Sequence, residues 1–357
     1  MKTHRVRCAI VGCGTIAVVH ARVLAALPEA ELVACCDIIP ERAATLADSL
    51  GAPKHTADYD DILADPEIDS VTICTPHYLH APMIVAAAEA GKHVLVEKPL
   101  AMDSASAAGA VAACRRAGVR LAVCLQNRLN AATVRVKRAI EEGLLGDLLM
   151  LSGQVLWYRG DEYYTESAWR GRWATEGGGV LINQAIHTLD LMTYLGREVR
   201  AVSARMGTLG HRTIEVEDAV SAVLEYESGA LGTFAAATCA YPGSDVRLEV
   251  LGSEGSALIV GQELVRFQTK DGREAPPPPE EANGQHVAAG KDYYGSSHGL
   301  VVADYIAAIR EGRDPEITGE DGQASIDLLD AIYTSARTHA DAPVERAPAV
   351  EPALTRA

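Results

Sequence analysis

The chain has 357 residues, enough for two domains, and at 48% hydrophobic each can bury a core. With only two Phe and three Trp, those cores must rest on Ala, Val, Leu and Ile. A formal charge of −16 excludes the basic surface that nucleic acid or an anionic membrane requires, so neither is an expected partner.

Through the first 125 residues, short apolar runs alternate with amphipathic stretches. Strands are predicted at Val6–Val11, Glu31–Cys36, Val71–Cys74, His93–Val96 and Arg120–Cys124. Helices are predicted after Gly14, from Pro40, over Ala81–Ala90 and over Ser104–Ala117, the last two closed by Gly91 and Gly118. This alternation implies a doubly wound parallel sheet over residues 1–125. Residues 126–357 read differently. A helix is predicted over Thr133–Glu142 and a strand over Leu148–Trp157, then an aromatic, charged loop from Tyr158 to Glu176 and a helix over Val180–Leu195. Six strands follow, Val199–Met206, Ala219–Tyr226, Leu231–Thr238, Arg247–Gly252, Ser256–Val260 and Leu264–Gln268, as an antiparallel sheet. Four consecutive prolines, Pro276–Pro279, make 270–294 a loop. Two helices, Leu300–Arg310 and Gln323–Thr338, precede a Pro/Ala-rich tail from Ala342 that reads as poorly ordered.

Lys2, Arg5 and Arg7 before an apolar run look like a secretory leader, but Gly12 and Gly14 interrupt it and His20 and Arg22 end it. No run of 18 apolar residues exists, so a cytoplasmic protein is expected. The eight cysteines form no C-x-x-C pair and no zinc-like spacing, so they read as buried thiols and no metal is expected.

Gly12-Cys13-Gly14-Thr15-Ile16-Ala17 fits G-x-G-x-x-A between a strand and a helix. Gly12 permits a tight turn, Gly14 lets the backbone approach a pyrophosphate, and Ala17 lets helix and strand pack closely. Asp37, twenty residues after Ala17, ends the next strand, where a carboxylate accepts from ribose hydroxyls and repels a 2′-phosphate. NAD is therefore the expected cofactor, with NADP kept open by Arg42.

Further on stand Thr75-Pro76-His77-Tyr78-Leu79-His80, Glu97-Lys98-Pro99, Gln126-Asn127-Arg128, and Gly177-Gly178-Gly179 leading to Asn183-Gln184-Ala185-Ile186-His187. Their combination and order resemble the Gfo/Idh/MocA oxidoreductases, the glucose–fructose oxidoreductase and inositol dehydrogenase family. The resemblance covers essentially the whole chain. It implies a Rossmann domain (1–125) and a substrate-binding and oligomerisation domain (126–357) built on a large open antiparallel sheet, with the C-terminal helices packing back. It also implies a homodimer or homotetramer through that sheet.

The resemblance makes Lys98 the catalytic lysine and suggests a cis bond at Pro99. A lysine near a positively charged nicotinamide and partly desolvated exchanges protons near neutral pH. His187 is the second candidate for the hydroxyl proton. Asn183, His187, Asp190 and Tyr194 would share one stripe of a continuous helix. Many relatives carry Asp at the position of Asn183. An amide orients a hydroxyl but takes no proton, which leaves acid–base chemistry to Lys98 and His187. The Asn-Gln pair resembles a subgroup acting on sugar nucleotides and glycosides at C3. The remaining cofactor candidates are Thr75, Pro76, His80, Glu97 and Gln126. His80 also reads as a plain helix-start residue. Substrate candidates besides Lys98, Asn183 and His187 are Arg128, Tyr158, Trp169, Arg170 and Tyr241, because aromatic faces suit sugar rings and Arg forks suit anions. The expected activity is hydride transfer between nicotinamide and a secondary alcohol or ketone of a sugar, cyclitol, glycoside or sugar nucleotide. Two alternatives stay open: a redox-assisted lyase or glycosidase retaining NAD, and a non-catalytic NAD-dependent sensor.

Overall fold

The computed structural model describes residues 5–278 and 297–346, in two compact units. Residues 5–126 and 297–323 make the first, and residues 127–278 and 324–346 the second. Residues 297–323 were expected with the second domain and group instead with the first. Pro279 and the loop on to residue 296, and the tail beyond residue 346, lie outside the described residues.

The first unit runs β1 (Val6–Val11), α1 (Thr15–Ala26), β2 (Ala30–Cys36), α2 (Pro40–Leu50), β3 (Lys54–Thr56), α3 (Tyr59–Ala64), β4 (Ser70–Ile73), α4 (His80–Glu89), β5 (His93–Val96), α5 (Ser104–Ala117) and β6 (Leu121–Val123). Its strands are all parallel, in the order β3-β2-β1-β4-β5-β6. Helices cover both faces of such a sheet, which is why β4 and β5 are buried almost throughout. The order of strand addition turns back between β1 and β4, the switch point at which such sheets bind ligands outside the carboxyl ends of their strands. The short polar β3 and α3 carry no apolar period and had not been expected.

The second unit begins with α6 (Ala131–Glu141), β7 (Leu148–Leu156), α7 (Glu162–Thr165), α8 (Trp173–Glu176), α9 (Val180–Asn183) and α10 (Ile186–Gly196). The strands β8 (Val199–Gly207), β9 (Ala219–Tyr226), β10 (Leu231–Ala237), β11 (Arg247–Gly252), β12 (Gly255–Val260) and β13 (Glu263–Thr269) follow. The chain returns to the first unit for α11 (His298–Glu311), which packs on α1, β1 and β5 and whose Tyr305 hydroxyl lies 2.7 Å from Ser70 Oγ. It ends with α12 (Gly319–Thr338) and β14 (Ala342–Pro343).

The second sheet has the order β13-β12-β11-β7-β10-β9-β8-β14. It is antiparallel except between β7 and β10, which run parallel because a helical excursion and two strands separate them in sequence. Its inner face buries Leu151, Val155, Val220, Leu224, Phe234 and Val250 against α9, α10 and α12. At Gly153 an added Cβ would lie 2.7 Å from Met192 Sδ, so glycine admits α10 close to the strand. Two further corrections belong here. The expected helix over 180–195 is interrupted after Asn183. Ala342 and Pro343, expected in a loose tail, pair with Val202 and Ala201 at the sheet edge. Among the described residues no helix is long and apolar enough to cross a membrane.

Candidate active site

In the first unit the expected cofactor residues gather at the carboxyl edge of the parallel sheet. The glycine loop follows β1, Thr75-Pro76 follows β4, Glu97-Lys98-Pro99 follows β5 and Gln126 follows β6. Gly12 has φ +86°, and an added Cβ would lie 2.9 Å from the carbonyl of Cys74, so only glycine fits this turn. Gly14 is the N-cap of α1 and has no side-chain cap, while the space where its Cβ would lie is empty to 4 Å. A ligand can therefore approach the backbone closely at the N-terminus of α1, where a phosphate is favoured. Thr15 is exposed, Ile16 half-buried and Ala17 buried under the helix. Asp37 accepts from the N–H of Cys13 at 2.7 Å and from that of Ile39 at 2.9 Å, tying the loop to the end of β2. An open cradle, an uncapped helix start and a carboxylate at the next strand end fit a dinucleotide.

The turn after β5 has the expected cis bond between Lys98 and Pro99. Lys98 is half-buried, and its N–H donates to Glu97 Oε2 at 3.2 Å. His80 and Glu97 differ from expectation. His80 is fully buried, with Nδ1 2.6 Å from Pro99 O and Nε2 2.8 Å from Thr75 O. Burial pushes its pKa down, and a neutral ring donates to one carbonyl at a time. The imidazole thus joins the two turns rather than facing a ligand. Glu97 is turned into the protein, its Oε1 2.6 Å from His20 Nε2 and 3.9 Å from His298 Nε2. Burial alone would raise its carboxyl, but the hydrogen bond from His20 and the charges of His20, His298 and Lys98 hold it well below the usual range. Cys124 joins this cluster, the four donor atoms lying within 4.8 Å of one another, and its Sγ is 3.6 Å from Oε1 of the buried Gln126. The 2.6 Å approach of His20 to Glu97 is that of a hydrogen-bonded pair.

In the second unit the glycine-rich entry leads into α9. Glu217 stands at its start, accepting from the N–H of Gly179 (2.9 Å), the N–H of Leu181 (3.1 Å) and the hydroxyl of Tyr333 (3.0 Å). Burial outweighs these bonds and pushes its carboxyl up to about 7. Asn183 ends α9 and donates through Nδ2 to Glu176 Oε1 at 2.6 Å and to the Tyr163 hydroxyl at 3.3 Å. Gln184 donates to the same hydroxyl at 3.0 Å. His187, half-buried, opens α10 four residues on. The Arg170 guanidinium lies 4.3 Å from the centre of the Tyr163 ring and 5.1 Å from that of Trp169.

One substrate candidate is placed otherwise than expected. Arg128 is buried and grips Asp190 through two nitrogens, at 2.9 and 2.6 Å, while Asp190 also accepts from Ser325. Its fork anchors α10 and is not displayed to an anion. Tyr158 and Tyr241 stack edge to face, 5.2 Å between centres, with Tyr241 81% exposed. Sequence reasoning missed Glu176 and Glu217. Acid before and after a glycine-rich helix entry is a weak signal that no local pattern distinguishes from a solvated side chain.

The profile of the oxidoreductase family with an NAD-binding Rossmann fold matches residues 6–125, and that of the GFO/IDH/MocA C-terminal domain matches residues 133–258. The scyllo-inositol 2-dehydrogenase (NAD(+)) of Bacillus subtilis (strain 168) is 34% identical over 264 residues, 72% of this chain and 74% of that protein. The inositol 2-dehydrogenase of Rhizobium meliloti (strain 1021) is 30% identical over 92% of this chain and 96% of its own length. A crystal structure of the WlbA dehydrogenase from Bordetella pertussis, in complex with NADH and UDP-GlcNAcA, superposes with a TM-score of 0.84 at 34% identity, covering 96% of this chain and 99% of that one. Cradle, cis-proline lysine turn and glycine-rich helix entry thus agree with the sequence likeness, and the chain belongs to the GFO/IDH/MocA family of NAD-binding oxidoreductases.

Proposed function

We propose that the chain is an NAD-dependent dehydrogenase that oxidises a secondary hydroxyl of a sugar, cyclitol or sugar nucleotide, or reduces the corresponding ketone. The observation that carries this reading is the carboxyl edge of the first sheet, where an uncapped glycine cradle, Asp37 and the half-buried Lys98 share one rim. The first-turn amides of α1 would hold the pyrophosphate and Asp37 the adenosine ribose. When bound, NAD+ supplies the hydride acceptor. Lys98 and His187 would handle the hydroxyl proton, one of the two nitrogens accepting it. Asn183 orients the hydroxyl. The named activities of inositol 2-dehydrogenases, and the sugar nucleotide bound by the WlbA dehydrogenase, support the substrate class.

The test is a panel of inositols, aldoses, glycosides and nucleotide sugars, followed by NADH absorbance. Lys98→Ala is expected to lower kcat by about 10²–10⁴-fold while NADH still binds. Wild-type turnover in that variant refutes the mechanism. Turnover of a glycoside without net NADH would favour the redox-neutral lyase instead.

The outer face of the second sheet supports a homo-oligomer. Val223 and Leu231 are about half exposed there beside Met150, Ser152 and Thr233, a partly apolar surface. Light scattering that returns a monomer at micromolar concentration would refute this reading.

A further inference from the structure

Asn183 presents an amide, and the side chains around it decide which end of that amide faces outward. Glu176 is fully buried, and its Oε2 accepts the N–H of Gly171, leaving Oε1 directed at Asn183 Nδ2, 2.6 Å away. Oε1 of Glu176 accepts from the NH2 of Asn183, which is therefore the end of the amide turned towards it. The Tyr163 hydroxyl receives Nδ2 as well, on the same side. The carbonyl Oδ1 is thereby turned away from Glu176 and Tyr163.

We infer that Glu176 is a positioning residue: it fixes the amide of Asn183 so that Oδ1 serves as the hydrogen-bond acceptor for the substrate hydroxyl. The neutral amide then does the accepting part of a carboxylate's task, and proton transfer stays with Lys98 and His187. This inference rests on the dehydrogenase reading above.

The experiment is a double-variant cycle on kcat and substrate KM, with NADH binding as the control for folding. E176Q leaves the Asn183 amide free to turn over, and N183D sets two carboxylates face to face. Each is expected to lower kcat about tenfold, the scale of one charge-assisted hydrogen bond. In E176Q/N183D the new amide donates to the new carboxylate, whose second oxygen accepts from substrate. Its kcat is expected to return to within about threefold of wild type, since paired groups couple. A double variant as slow as the product of the two single losses overturns the inference. Should N183D fail to fold, N183A replaces it: E176Q must then cost nothing further, and a further tenfold loss overturns the inference. If the wild-type chain forms NADH with no member of the substrate panel, the dehydrogenase reading fails. If it forms NADH and the cycle shows no coupling, only the role of Glu176 fails.

Discussion

Glu217→Gln tests the energetics of the helix entry without touching the reacting groups. The Glu217 carboxyl holds its proton up to about pH 7 in the folded chain, against an ordinary value of 4.5. A raised pKa means that the folded state binds the proton more tightly, so this group favours folding fully below about pH 4.5. That contribution drains away as pH rises towards 7. One pKa unit is worth about 1.4 kcal/mol, so the whole contribution is about 3 kcal/mol. The amide variant has no such titration. It also sets a donor against the N–H of Gly179 or Leu181, at about 1–3 kcal/mol, a cost that pH does not alter. The offset between wild type and variant is therefore uninformative, and its pH dependence is decisive. Urea unfolding followed by circular dichroism at pH 5, 6, 7 and 8 gives both curves. The variant is expected to gain about 2.5 kcal/mol on the wild type between pH 5 and pH 8, since part of the contribution is already lost at pH 5. Parallel curves would show that Glu217 is ionised throughout, and that the amides of Gly179 and Leu181 outweigh its burial.

Two further substitutions probe the two units separately. Asp37→Ala removes the acceptor for the Cys13 and Ile39 amides, and NADH affinity by fluorescence titration should fall about 10–100-fold, the worth of charged hydrogen bonds, with discrimination against NADPH narrowed. An unchanged ratio of the two affinities would remove Asp37 from cofactor choice. Arg128→Met strands Asp190 in the core of the second unit beside Ser325, whose hydroxyl donates to it at 2.8 Å, and should destabilise the chain by about 3–5 kcal/mol in chemical unfolding. A loss below about 1 kcal/mol would return Arg128 to the substrate candidates, since exposed pairs are worth that little.

The parts of the site that sequence reading located are those written in local order. The glycine loop, Asp37, the Lys98 turn and the helix entry at Gly179 each follow a strand or open a helix, and the chain itself carries their spacing. What escaped are pairings across long separations. Glu217 meets Gly179 over 38 residues, and Arg128 meets Asp190 over 62. Nothing in either neighbourhood distinguishes a buried partner from a solvated charge. The break after Asn183 was hidden because Ile182, Ala185, Ile186 and Leu189 continue an apolar period straight through it. The parallel β7–β10 pair escaped because alternation reports which face a residue takes, not which strand lies beside it.

The place of β7 in its sheet bears on how the chain is made. β7 is complete at Leu156, yet its partners β10 and β11 begin only at Leu231 and Arg247. For some seventy-five residues of synthesis its backbone has no neighbour in the sheet on either side. Closing so long a loop is slow, and an unpaired apolar strand is open to association with other chains meanwhile. Nascent chains stalled between residues 156 and 231 should therefore be the ones that most need a chaperone.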